Sequence, residues 1–250
     1  MNPLNLDDVR QHVNETIGDF HQRKAKSLEE LRLDKLLTKN PYLFRAKNIT
    51  TAGELILGLL EAFLSSSEEK MFGDFMEDLA LFVAEKTSGG HKSSAPGIDL
   101  EFINQNIHYV VSIKSGPNWG NSSQQRKLEQ DLRDAATRLK QSKRTTNVQP
   151  VLGICYGKTR TSYLRGYLKV VGQNFWYLIS ENKTLYTDIV EPVGYRAKEH
   201  NEAFLQERSR VINRLTKQFI DRFCRTDGAI DWVRLVEFSS GNYDLDQFLS

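Results

Sequence analysis

Asp99 and Lys114 lie at the same end of two short segments, Ile98–Ile103 and Ile107–Lys114, in which apolar and polar residues alternate. A period of two puts Leu100 and Phe102 on one face of the first segment and Asp99 and Glu101 on the other. On the second segment Val110, Ser112 and Lys114 share a face, opposite Val111 and Ile113. A lysine closing an apolar strand needs an anion nearby, because a buried ammonium without one is costly. If the two strands pair through a loop of even length, Asp99 faces Ser112 and lies diagonal to Lys114. Asn104-Gln105-Asn106 reads as a three-residue turn, which puts Asp99 out of phase. The expectation is therefore a four-residue loop, Asn104 to Ile107, or a bulge.

A carboxylate beside a lysine suits phosphodiester hydrolysis. The carboxylate offers hard oxygen to Mg²⁺. The ion lowers the pKa of a bound water and offsets charge building on the phosphate. The lysine positions that water and stabilises its hydroxide form. The plain alternative is a surface hairpin carrying an ordinary ion pair worth about 0–1 kcal/mol, and the strand pattern by itself leaves both open.

The elements that must position these residues follow from period and punctuation. Leu4 to about Leu37 reads as helix, with Val9, Val13, Ile17 and Phe20 at helical spacing, and Asn40-Pro41 breaks it. Thr51 caps a second helix through about Phe63, with Glu54 three residues on as a capping box. Ser66 or Ser67 caps a third through about Lys86, and Gly89-Gly90 closes the region. After the hairpin, Gly116-Pro117-Asn118 stops the second strand, and Asn121 to Lys143 is an amphipathic helix with Leu128, Leu132, Ala135 and Leu139 on one face. Val148–Tyr156 and Tyr163–Val171 read as strands. The first of these follows a helix, so it is placed parallel to Ile107–Lys114. The remainder is mainly helical and ends on a helix with Trp232, Val233 and Val236. The expected fold is α/β: one domain over residues 1–250, with a central mixed sheet flanked by helices. Within it, residues 1–90 and 172–250 are mainly helical and residues 91–171 form the catalytic part.

Pro96-Gly97-Ile98-Asp99 followed by Ser112-Ile113-Lys114 resembles the PD-(D/E)xK nuclease signature, and the chain is similar to the type II restriction endonucleases within it. Val110–Gly120 (VVSIKSGPNWG), Val151–Gly157 (VLGICYG), Asn40–Asn48 (NPYLFRAKN) and Asp227–Glu237 fit that group in order. The resemblance implies a restriction-endonuclease-like fold and Mg²⁺-dependent cleavage of double-stranded DNA at a short, palindromic site by a homodimer. It also implies a metal ligand in the main-chain oxygen of Ile113. One departure matters: Ser112 stands where the second acid belongs. Some restriction enzymes with serine here bring an acid from a helix. Glu77, in the helix before the hairpin, is favoured as ligand and catalytic residue; Glu129 and Glu101 are the alternatives. Two rivals remain: a repair or structure-specific nuclease on the same core, told apart by nicking or flap cleavage, and an inactive DNA-binding module, told apart by whether Mg²⁺ adds cleavage to binding.

DNA contacts are expected where the catalytic strand joins the following helix. Asn118, Trp119, Asn121, Ser122 and Ser123 offer amides, an indole and hydroxyls, and Arg126, Lys127 and Arg133 offer charge. The net charge of +2 does not by itself point to nucleic acid, but Arg126–Lys169 carries eleven cations, Lys143 and Arg144 among them, against three anions. A second basic group runs from Arg208 to Arg225. Gly153–Thr159 is one residue short of a phosphate loop and reads as a strand and turn. The five histidines lack metal-ligand spacing and read as surface or turn residues, and Phe175-Trp176-Tyr177 reads as core or dimer packing. Two cysteines cannot build a disulfide framework or a zinc site, and Cys155 reads as core. No apolar run approaches the roughly 20 residues of a membrane span, and Met1–Arg10 lacks a secretory signal. A cytoplasmic protein with no membrane contact and no organic cofactor is expected.

Overall fold

In the computed structural model, which describes residues 1–142 and 147–241, Gln105 and Asn106 take positive φ angles of 48° and 63°. Two successive left-handed residues make the tight turn whose twist matches a hairpin. The strands it joins are β2 (Leu100–Asn104) and β3 (Ile107–Lys114), preceded by the short β1 (His91–Lys92). Asn104 pairs with Ile107 and Leu100 with Val111. The loop is thus two residues long, not four, and no bulge is needed. Its even length preserves the expected phase, and Asp99 lies just ahead of the ladder, where its amide donates to Val111 O at 2.9 Å.

The sheet continues through β4 (Val148–Ile154), β5 (Ser162–Leu164) and β6 (Tyr167–Val171) in the order β1-β2-β3-β4-β6-β5 among the described residues. β3, β4 and β6 run parallel and the other pairs are antiparallel, which makes the expected mixed sheet. Tyr163–Val171, expected as one strand, is a hairpin. Arg165-Gly166 turns the chain, with Gly166 at φ 94°.

The described residues also form helices. In chain order they are α1 (Leu6–Glu29), α2 (Leu33–Leu36), α3 (Pro41–Ala46), α4 (Ala52–Ser88) and α5 (Ser122–Ser142), followed by α6 (Gln173–Ser180), α7 (Leu185–Asp188), α8 (Val190–Val193), α9 (Ala197–Phe223) and α10 (Trp232–Ser240). Thr51 does cap α4: its hydroxyl accepts from the Glu54 amide at 3.2 Å and donates to the Glu54 carboxylate at 3.0 Å. The expected third helix does not begin at Ser66 or Ser67. The Ser66 hydroxyl donates to Ala62 O at 3.0 Å inside one continuous helix, so this serine bonds back to the preceding turn instead of starting a new helix. Similarly, the long first helix ends at Glu29, with α2 as a separate turn.

The described chain forms two compact units: Met1–Phe20 with Met71–Tyr195, and His21–Lys70 with Arg196 onward. The first holds the sheet. Leu100, Phe102, Val111 and Ile113 bury one face against Val13 and Ile17 of α1, Leu79 and Val83 of α4, and Phe175 and Trp176 of α6. Val110, Leu152 and Ile154 bury the other against Leu128 and Leu132 of α5. In the second unit Leu28, Leu36, Ile56, Leu60, Leu215 and Phe219 build an all-helical core. Among the described residues no helix is long and apolar enough to cross a membrane. Lys143 and Arg144 lie outside the described residues.

A close approach inside the sheet core yields a test. A Cβ on Gly153 would come within 2.3 Å of the ring of Phe175, which has no exposed surface. Gly153→Ala is expected to lower stability by about 1–3 kcal/mol, the usual cost of overpacking, as measured by urea unfolding. A parent-like midpoint would mean that the α6 packing yields easily.

Candidate active site

The parallel ladder aligns Lys114, Ile154 and Val171, so the C-terminal ends of β3, β4 and β6 form one edge of the sheet. Asp99 reaches that edge from the start of β2. Its Oδ2 accepts from the Ile113 amide at 2.5 Å and from the buried Ser112 hydroxyl at 3.2 Å. Lys114 Nζ lies 3.7 Å from the same oxygen, donates to Ile113 O at 2.8 Å, and stands 6.0 Å from the centre of the Trp119 ring. Both side chains keep a path to solvent, with Asp99 21% and Lys114 30% exposed. Ser112, at the position of the missing acid, is thus a donor that steadies one oxygen of Asp99, while Oδ1 accepts neither bond.

Glu77 joins this group from the opposite side of the sheet. Gly73, one turn earlier in α4, carries no side chain, and a Cβ there would sit 3.6 Å from Ser115 Cβ, so the helix passes close to the end of β3. The Glu77 carboxyl is pushed above the ordinary carboxylate range, first by burial and then by the Asp99 charge; Lys92 and Lys114 pull it back. Lys92 Nζ sits 3.5 Å from Glu77 Oε1. The structure therefore brings Asp99, Glu77, Ile113, Lys114 and Trp119 to one edge.

The other two acids are engaged elsewhere. Glu101 is 8% exposed and accepts from Ser93 Oγ at 2.6 Å and from the ring of His108 at 3.0 Å. His108, 3% exposed, is thus a buried partner rather than a surface or turn histidine. Ser93 Oγ also accepts from the Ala95 amide, and Ser93 N donates to Asp99 O at 3.3 Å, so this network pins the loop between Lys92 and Asp99. Glu129 pairs with Arg133 at 3.0 Å on α5, and its charge acts on Tyr167 of β6. Beneath the edge, burial and then Glu77 push the Cys155 thiol up to about 12, which keeps it neutral in the core.

Of the expected DNA contacts, Asn121 caps α5. Its side chain accepts from the Ser123 and Gln124 amides, while Gln124 accepts from the Asn121 amide. Asn118, Ser122 and Ser123 are exposed around this cap. Arg126 only grazes Ser123 at 3.5 Å, whereas Lys127 pairs with Asp131 at 2.6 Å and Arg133 with Glu129. Sequence reasoning missed Lys92 and the Ser93–Glu101–His108 network. The polar run His91–Ser94 after Gly89-Gly90 carries no spacing that marks it.

The donor set suits a hard divalent cation: two carboxylates and a main-chain carbonyl, all oxygen. Among the described residues no group of three or more His, Cys, Asp or Glu could hold a metal ion; the main-chain oxygen offered at this edge is that of Ile113. A profile described as Type II restriction endonuclease EcoO109I matches residues 7–201 and includes every residue of this edge. A search of curated protein sequences finds no match.

The raised Glu77 carboxyl sets a direction for stability. Between the ordinary carboxylate pKa and the raised one, the folded chain holds a proton that the unfolded chain has released. Stability therefore falls as pH rises through that window, and ionised Glu77 destabilises the fold at neutral pH. Without divalent ions, Glu77→Gln is expected to melt above the parent near neutral pH, with the gap closing below about pH 4. A lower melting temperature for the variant at neutral pH would mean that the Lys92 contact outweighs the burial cost.

Proposed function

The chain belongs to the EcoO109I family of type II restriction endonucleases, and from that premise we propose that it hydrolyses double-stranded DNA with Mg²⁺ at the edge formed by Asp99, Glu77, Ile113 and Lys114. The observation that carries this reading is the grouping itself. The Lys114 ammonium lies 3.7 Å from an Asp99 carboxylate whose charge also acts on Glu77. Asp99 Oδ1, Glu77 and the Ile113 carbonyl would hold the ion. When bound, it supplies Lewis-acid activation of water and charge compensation at the phosphate.

The side chains do the rest. Ser112 and the Ile113 amide hold Oδ2 of Asp99 and so orient Oδ1 outward. Lys114, kept near Asp99 and Ile113 O, donates to the attacking water and to the non-bridging phosphate oxygens. The Trp119 ring, 6.0 Å from Lys114 Nζ, adds a face that attracts the ammonium. Glu77 fills the role of the acid that Ser112 cannot play. Two copies related by a two-fold axis match a short palindromic site and supply one such edge for each strand, in the cytoplasm where the substrate DNA lies.

Asp99→Ala and Lys114→Ala are expected to lose cleavage by at least about 10³-fold, the scale of a lost electrostatic stabiliser, while duplex binding persists. Lys114→Arg should fail as well, since a planar guanidinium does not replace a compact ammonium. Glu77→Ala should lose more than Glu129→Ala or Glu101→Ala. Full activity in Asp99→Ala would place the chemistry elsewhere. Light scattering on cognate duplex should return the mass of two chains plus one duplex, and one chain per duplex would rule out the two-fold arrangement.

A further inference from the structure

Three loops extend from the sheet edge that holds Lys114, because β3, β4 and β6 all end there. The ladder runs on past the strands: the Cys155 amide donates to Lys114 O at 2.9 Å and the Tyr156 amide to Ser115 O at 3.2 Å. Gly157 then packs on Pro117, where a Cβ would meet that ring at 3.1 Å. At the far end, Thr161 Oγ1 accepts from the Val171 amide at 3.2 Å and from Asn174 Nδ2 at 3.1 Å. The loop Gly157–Arg160 is thus tied at both ends to the edge that carries the reacting groups. Its inner side lines a cavity of about 890 Å³ whose wall includes Met76, the residue before Glu77.

What this loop presents is positive charge with no protein partner. Lys158 and Arg160 are exposed, and among the described residues neither makes an ion pair or a side-chain hydrogen bond. No acid occurs between Asp134 and Glu181 to neutralise them. Beyond Arg126, which lies in its first turns, the cations of α5 are placed differently. That helix leads from the end of β3 back to the start of the parallel β4, so it runs away from the edge. Arg133 and Arg138 lie about 16 and 24 Å along it at 1.5 Å per residue, and Lys127 and Arg133 are held by acids of their own helix. Ligands of sheets with parallel strands gather outside the carboxyl ends of those strands, which is where Lys158 and Arg160 stand.

We infer that the Gly157–Arg160 loop is a phosphate clamp for duplex DNA, with Lys158 and Arg160 each taking a backbone phosphate beside the cut. The inference rests on the nuclease reading of the same edge. Each neutralised phosphate releases condensed counterions, so the salt dependence of binding counts the contacts.

The test is fluorescence anisotropy on a labelled duplex of arbitrary sequence, without divalent ions, across a range of salt concentrations. Lys158→Ala with Arg160→Ala is expected to flatten the slope of log K against log salt by about 1.8 per chain, at 0.9 per phosphate. The melting temperature should stay at the parent value, and Lys158→Arg with Arg160→Lys should restore the slope. A parent-like slope in the alanine variant overturns the clamp alone. So does a loss of slope confined to alanine variants of Arg126, Lys127 and Arg133. A parent chain that shows no salt-dependent duplex binding overturns the nuclease reading and the clamp together.

Discussion

The register of β2 on β3 decides where each charge at the sheet edge can sit. Leu100 opposite Val111 turns Leu100 and Phe102 into the core and leaves Asp99 opposite Ser112. A slip of one residue would reverse every side chain and set Asp99 and Glu101 against the core of α1, α4 and α6 in place of two buried residues, Leu100 and Phe102. Each is worth about 1.5–3 kcal/mol of burial, whereas a partly exposed ion pair contributes about 0–1 kcal/mol. The apolar face therefore sets the register, and the Asp99–Lys114 pair is its consequence. The turn at Gln105-Asn106 and the bonds from Ile113 N and Ser112 to Asp99 then hold it.

Around that hairpin the molecule accepts local cost. A half-buried Glu77 is kept beside another carboxylate, and burial and the Asp99 charge both raise its pKa. Lys92 and Lys114 offset part of this from two sides. The loop between Lys92 and Asp99 is steadied from below by Ser93, Glu101 and His108. Polar groups buried this deeply are tolerated because each has its partner, and the outcome is a fixed spacing between the lysine that faces Glu77 and the aspartate that faces Ser112.

Much of this was legible in the sequence where period and punctuation agree. The alternation from Leu100 to Phe102 and from Val110 to Lys114 predicts the hairpin and its faces, and Thr51 with Glu54 predicts the α4 cap. The failures lie at boundaries, where a local polar residue marks one that is absent or fails to mark one that is present. Ser66 and Ser67 look like caps but lie inside α4. Asn104 looks like turn but is the last rung of the ladder, and Arg165-Gly166 is a turn hidden inside an apparently continuous strand. The acids show the same limit. Spacing cannot rank Glu77, Glu101 and Glu129, because burial and partners decide which keeps a free oxygen. Glu101 is taken by His108 and Ser93 and Glu129 by Arg133, while the Asp99 charge acts on Glu77. Lys92 left no trace in the pattern, since an exposed lysine after two glycines has no period to break.

The most direct measurement is digestion of a plasmid of known sequence by the purified chain, with Mg²⁺ or with chelator, followed by sequencing of every end. Ends are expected at one short, two-fold symmetric sequence wherever it occurs, with both strands cut and no cleavage in chelator. Ends scattered without a common sequence, or intact plasmid in Mg²⁺ although the chain binds it, would contradict a site-specific nuclease centred on Asp99 and Lys114.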